Sequence, residues 1–373
     1  PCPGDAMDTA PAPDPTAGPV LGTRQRRAAL AALLRRTAEL YALDPVRYPL
    51  YREDGPGGGE DGPRGGQGAG WVWSRRGSWT PGFRSGLVRL AALTGHLPRR
   101  AAEESERRLR DRLHDDTVTR AMTFWYGAPG DAASRDAATG LLLDTREPAS
   151  GLIPVGTAWG AGPGGRRRAE VDCWAPLVRL LCRPGGAHRR EAHRAAAALA
   201  RTALESALTG APGGRTAVHP GLALGGPGGP APEGPPVTAG RPFAWALLGL
   251  AECAAHLPAD DERTARLAGD CARAALRMAD QAAALPSADT SADAITALAL
   301  LKLAAAGHPG RAAAADRLLH RLVTGHLTPD GALTGARYPV RPGVERSVES
   351  VWGAYFLAHA LAVREGVPGA DEV

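Results

Sequence analysis

Residues 169–181 read AEVDCWAPLVRLL, with one carboxylate, Asp172, at the mouth of an apolar run. Two kinds of chemistry suit an acid there. As a helix N-cap, its side chain would accept a hydrogen bond from a free N–H of the first turn. As an acid/base it would face a pocket, because Val171, Cys173 and Trp174 are apolar neighbours and burial favours the neutral carboxyl. The positive end of a helix favours the ionised form, so residue types alone leave the direction of its pKa open. The pair Asp115–Asp116 in LHDDTVTRAMTFWYGA stands before a second apolar run and poses the same choice between cap and acid. Arg241 opens a third such run, RPFAWALLGLAECAAHL. A cation at a helix N-terminus is locally unfavourable unless it faces an anion, so capping does not explain it. Nor does capping explain Trp79, just ahead of another apolar run.

The elements that must position these residues are helices. Hydrophobic residues make up 44% of the 373-residue chain and aromatics only 5%, so Ala and Leu supply most of the apolar content and favour helix over strand. Gly- and Pro-rich punctuation separates twelve expected helices of two kinds. Residues 24–40, 98–113, 131–143, 187–207, 259–283 and 310–323 carry charges on one face. Residues 82–95, 116–127, 172–183, 243–256, 290–306 and 348–363 alternate with them and are apolar nearly all round. A helix with one charged face lies at a surface, whereas one apolar all round is buried. Strict alternation predicts an all-α chain of six hairpins closed into an (α/α)6 barrel, with the apolar helices as its inner ring. The inner helices then share one direction. Their N-termini, with free N–H groups and positive dipole ends, meet at one rim. Trp79, Asp115, Asp116, Asp172, Arg241 and Asp289 all fall at that rim. The expected organisation is a disordered tail over 1–21, a barrel over 22–366 and a short tail over 367–373. The Gly-rich segments 55–70 and 221–240 are either lids or disordered.

Composition narrows the function. The formal charge is +5, but acidic residues alternate with the arginines and no long basic block stands out, which argues against nucleic-acid binding. Lys302 is the one lysine. Five cysteines lack zinc-like spacing, and His188 and His193 do not share a helix face, so no metal and no cofactor are expected. The cysteine pattern fits a reducing cytoplasm, and no stretch is apolar enough to span a membrane.

Several stretches resemble the unsaturated glucuronyl hydrolases of glycoside hydrolase family 88. GSWTPGFRSGLVRLAALTG resembles their Trp-Thr-x-Gly-Phe-x-x-Gly signature, and VDCWAPLVRLL their Ile-Asp-Cys segment. DTSADAITALALLKLA and VWGAYFLAHAL are similar to two later helical motifs, and the matches keep their order over most of the chain after residue 22. The related unsaturated rhamnogalacturonyl hydrolases share that fold. The resemblance implies an (α/α)6 barrel that hydrates the C4=C5 enol ether of an unsaturated uronyl sugar, an anionic oligosaccharide left by a polysaccharide lyase. It gives Asp172 the acid/base role, with Asp116 or Asp115 as a second carboxylate. Trp79 would stack on a sugar ring with Trp174 beside the acid, His219 would bind the sugar, and Arg241 would pair with the uronate. Where some members use Ser and Lys for sulfated sugars, RYPVRPG offers Arg337 or Arg341.

The departures are as definite. No Gly-Phe follows His114–Asp115, and alignment from AMTFWY backwards puts Thr119 at the second Asp of the family. RPFAW replaces Arg-Gly-Gln-Ala-Trp, a Gly/Pro loop replaces the aromatic segment before it, and Ala354 stands where the last motif has Asp. The alternative reading is therefore an inactive or repurposed barrel that binds a sugar or another small ligand. DDTVT also resembles the acidic motif of helical cyclases that ionise diphosphates, but it has no downstream Asp and no second metal-binding triad.

Overall fold

The computed structural model describes residues 18–54, 70–183, 188–285, 287–341 and 343–369. The expected tail over 1–21 falls outside them up to residue 17, as do most of segment 55–70 and the last four residues. Leu21 departs from the expected tail: it is buried in the core just before the first helix.

Six helices, α2 (Pro81–Leu93), α4 (Arg120–Gly127), α6 (Trp174–Leu181), α8 (Arg241–His256), α10 (Thr290–Ala305) and α12 (Val351–Arg364), form a closed inner ring. Each packs on the next, and α12 returns to α2. Outside them lie α1 (Thr23–Leu43), α3 (Arg99–Leu109), α5 (Ala132–Asp144), α7 (Arg189–Thr202), α9 (Glu262–Ala284) and α11 (Gly310–Gly325). The predicted division into inner and outer helices holds, because the all-apolar helices have no face that tolerates water. Gly82 and Gly86, one turn apart on α2, let its backbone approach α4: a Cβ on Gly82 would lie 2.3 Å from the Met122 carbonyl oxygen. Arg26 and Arg27 on α1 donate to Glu365 beyond α12, at 2.6 and 2.8 Å, and join the two ends of the chain.

The barrel lumen is filled. Phe83, Tyr126, Trp245, Tyr355 and Phe356 come from four inner helices, with centroid distances such as 5.3 Å for Phe83–Tyr126 and 5.2 Å for Trp245–Phe356. All five are buried. Full burial of each Phe side chain contributes roughly 1.5–3 kcal/mol.

Short strands were not expected, and they lie in the connections. β1 (Tyr48–Glu53), β2 (Trp71–Ser74), β8 (Ala336–Arg341) and β9 (Val344–Ser350) form one antiparallel sheet in the order β2-β1-β9-β8. β3 (Arg168–Glu170), β6 (Gly221–Ala223) and β7 (Ala231–Glu233) form a second, and β4 (Leu208–Ala211) pairs with β5 (Arg215–Val218). They shift three helix starts. Residues 348–350 extend β9, and Ser350 then caps α12 by accepting the Gly353 N–H at 3.1 Å. Residues 171–173 form a 3-10 turn before α6. Residues 116–119 belong to a loop pinned at a Thr117–Gly156 bridge, so α4 starts at Arg120. Segment 221–240 is an ordered hairpin arm.

Candidate active site

Asp172 sits in the 3-10 turn that joins β3 to α6, at the rim where the inner helices begin. Neither that turn nor α6 receives a side-chain cap, so Asp172 is not the helix cap its position suggested. Among the described residues its carboxyl has no hydrogen bond and no ion pair. It is half-buried, and removal from water pushes it up to about 6, against the opposing pull of Arg241. The Glu170 carboxylate adds to the rise, and the Arg168 guanidinium opposes it.

Arg241 is the first residue of α8. Its Nη1 donates to the Arg337 carbonyl at 3.0 Å, and its Cζ lies 5.5 Å from the Trp352 ring centroid and 6.0 Å from that of Tyr338. No carboxylate among the described residues pairs with it. The positive charge at this helix start therefore faces the rim without an anion of its own. Trp79, half-buried, packs 4.8 Å from Trp352 and 5.7 Å from Phe83, so the aromatic wall of the site rests on the lumen core. Tyr338 completes that wall at 5.2 Å from Trp352. Tyr338 was missed because it lies in an unexpected strand. Trp352 was inside a recognised motif, and its place in the first turn of an inner helix was the available signal.

The other expected site residues divide. Asp116 accepts hydrogen bonds from the Thr157 N–H and hydroxyl at 3.1 and 2.6 Å and from Arg166 at 3.0 Å. Although burial raises its pKa, these bonds outweigh that effect and hold it below the usual range. Asp115 pairs with Arg76 and, at 3.1 Å, with Arg112. Both acids anchor the loops ahead of α4 and α6, and neither caps a helix. Thr119, at the aligned position, shares a hydrogen bond with Thr117 at 3.0 Å. Trp174 is 2% exposed, its Cβ packed against Gly249 of α8, and is a core residue, which corrects its placement beside the substrate. His219 Nδ1–H donates to the Gly234 carbonyl at 3.1 Å, which leaves Nε2 as the acceptor. Arg341 lies exposed at the end of β8, its charge acting on Tyr51, and nothing joins it to Asp172. Asp289 is a cap: it accepts the Ser291 N–H at 3.0 Å and the Arg337 N–H at 3.2 Å.

Among the described residues no helix is long and apolar enough to cross a membrane. No protein-family model matches the chain, and comparison with curated proteins returns no match. The fold is similar to that of solved unsaturated glucuronyl hydrolases. The enzyme from Bacillus sp. GL1, responsible for the degradation of glycosaminoglycan, has a TM-score of 0.71 at 21% identity, over 93% of this chain and 98% of its own. An unsaturated glucuronyl hydrolase specific for heparin has a TM-score of 0.70 at 16% identity, over 92% and 97%. A possible member of the GH105 family from Klebsiella pneumoniae has a TM-score of 0.59 at 14% identity, over 97% and 100%.

Proposed function

We propose that the chain is a glycoside hydrolase that hydrates the C4=C5 enol ether of unsaturated uronyl oligosaccharides, with Asp172 as its acid and then its base. The observation that carries this reading is Asp172 itself: it caps no helix, it has no hydrogen-bond or ion-pair partner among the described residues, and burial pushes it up to about 6. Its carboxyl proton would go to C4 of the sugar, leaving positive charge shared between C5 and the ring oxygen. The resulting carboxylate would accept a proton from the water that adds at C5, which restores the acid. The hemiketal formed opens and releases the neighbouring sugar. Arg241, with no carboxylate partner here, would bind the uronate through its planar fork. Trp79 and Trp352 would supply the apolar wall against a sugar ring, and His219 would meet a hydroxyl through Nε2. The reaction would run in a reducing cytoplasm, the reading that the free thiols of Cys173, Cys182, Cys253 and Cys271 favour.

The test is absorbance decay of the conjugated double bond in a panel of lyase-generated unsaturated disaccharides. Decay is expected with the unchanged chain, weakening as pH rises through about 6, and its absence in Asp172→Asn. Full activity in that variant would remove Asp172 from the reaction. A second reading, a barrel that binds an anionic sugar without turning it over, is favoured by the commitment of Asp115 and Asp116 to ion pairs. Calorimetric binding without product would select it.

A further inference from the structure

The inner helices begin at the rim of Asp172 and end at the opposite one. α8 carries the chain from Arg241 to His256, a rise of about 24 Å at 1.5 Å per residue. The turn that follows it and the start of α9 meet the side of α7, and an open cavity of about 310 Å³ lies between them. Arg194 and Arg201 line it from one face of α7, two turns apart, and Arg263 lines it from the first turn of α9. None of the three guanidinium groups has a hydrogen bond or an ion pair among the described residues. Other arginines of the outer layer are tied to acids, as Arg108 is to Glu104 and Arg146 to Glu191, each at 2.8 Å. Two carboxylates border the cavity. Asp261 is committed to its own helix, where it accepts the Thr264 N–H and hydroxyl at 2.8 and 3.0 Å, and Arg263 acts on it only at longer range. Asp260 is exposed and lies 3.8 Å from His193 Nδ1. Burial and the Arg189 charge hold the His193 pKa below its ordinary value against the pull of Asp260, so the ring is neutral at pH 7. Three guanidinium charges thus meet two carboxylates, and the surplus is positive.

We propose that this cavity is a second ligand site, remote from Asp172, for a tetrahedral oxyanion on a small polar body: a phosphate or sulfate ester of monosaccharide size. The shape of the charge argues for it. A carboxylate is filled by one guanidinium fork, whereas a tetrahedral ester group offers three oxygens to forks arriving from two sides. Arg194 and Arg201 leave α7 about 10 Å apart, close enough for two extended side chains to converge on one group. Ala197, between them on the same face, keeps the space open, and Pro258 gives an apolar surface for the face of a ring. Asp260 and His193 would take its hydroxyl groups. The volume is within the range of small-molecule sites. This inference stands whether or not Asp172 performs the reaction proposed above.

Calorimetric titration of the full chain at low salt tests it, with glucose-6-phosphate, glucose-6-sulfate and glucose as probes. Saturable binding of at least one ester and none of glucose is expected. Tighter binding of the phosphate would point to a phosphorylated metabolite, and tighter binding of the sulfate to a fragment of a sulfated polysaccharide. Arg194→Gln and Arg263→Gln, at exposed positions where the fold does not depend on the side chain, should each weaken binding about 10-fold. Ala197→Glu should abolish it, and added salt should weaken it. Arg241→Gln, at the far rim, should leave it unchanged. Failure of both esters to bind, equal binding of glucose, or binding that is lost in Arg241→Gln and kept in Arg194→Gln and Arg263→Gln would overturn the proposal.

Discussion

Replacing Asp172 by Asn should stabilise the folded protein, and the gain should grow with pH. Burial pushes the carboxyl up to about 6 in the folded state, against the ordinary 3.8 of an Asp in the unfolded chain. The folded state thus binds the proton more tightly, and its relative stability falls as pH rises from about 4 through 6. The difference of about 2.2 units corresponds to about 3 kcal/mol at most. Asn is isosteric and does not ionise, and no hydrogen bond of the described residues is lost with the carboxylate. Urea denaturation of both proteins at several values between pH 3 and 8 is the assay. The curves should coincide at the acid end and separate by up to about 3 kcal/mol at the alkaline end. A variant equal to or weaker than the parent at pH 8 would refute the reasoning, because it would mean that ionised Asp172 is well solvated or paired.

Two further outcomes follow from other charges. Arg241→Gln should raise KM for unsaturated uronates about 10- to 100-fold, by loss of a charge-assisted contact, and should move the alkaline limb of activity upward, because Arg241 holds the Asp172 pKa down. Lys302→Met should cost about 3 kcal/mol in urea denaturation, since Lys302 lies 2.9 Å from the buried Glu252 carboxylate. Burial raises the Glu252 pKa, but Lys302, His256 and Arg179 outweigh it and hold it at about 2, so this contribution should fade as pH falls from about 4.5 toward 2.

The helical frame was legible because periodicity and polarity report burial directly. FAWALLGLAECAAHL and SADAITALALLKLAAA have no polar face, and both proved to be inner helices. The strands were illegible because segments of three to seven residues are too short to give a sustained periodic signal. Asp172 shows the limit at single residues. Its type and place match a helix cap, and only the 3-10 turn before α6 takes it away from the first helical N–H groups. Asp115 and Asp116 show the converse: nothing local to HDD reveals that Arg166 and Thr157, about forty to fifty residues later, will saturate Asp116. Trp174 followed the same logic. Proximity in sequence to Asp172 put it beside the acid, whereas helical geometry turns it toward Gly249.

The aromatic plug in the lumen also governs traffic. Among the described residues the buried aromatics close the lumen below Trp79 and Trp352, so a sugar bound at Asp172 would have to enter from the rim. A chain molecule could not thread past these aromatics, so under the proposed reaction it would offer only a terminus to Asp172, and the product would leave by the route of entry. Under the proposed reaction, departure of the first product would be coupled to arrival of the next sugar.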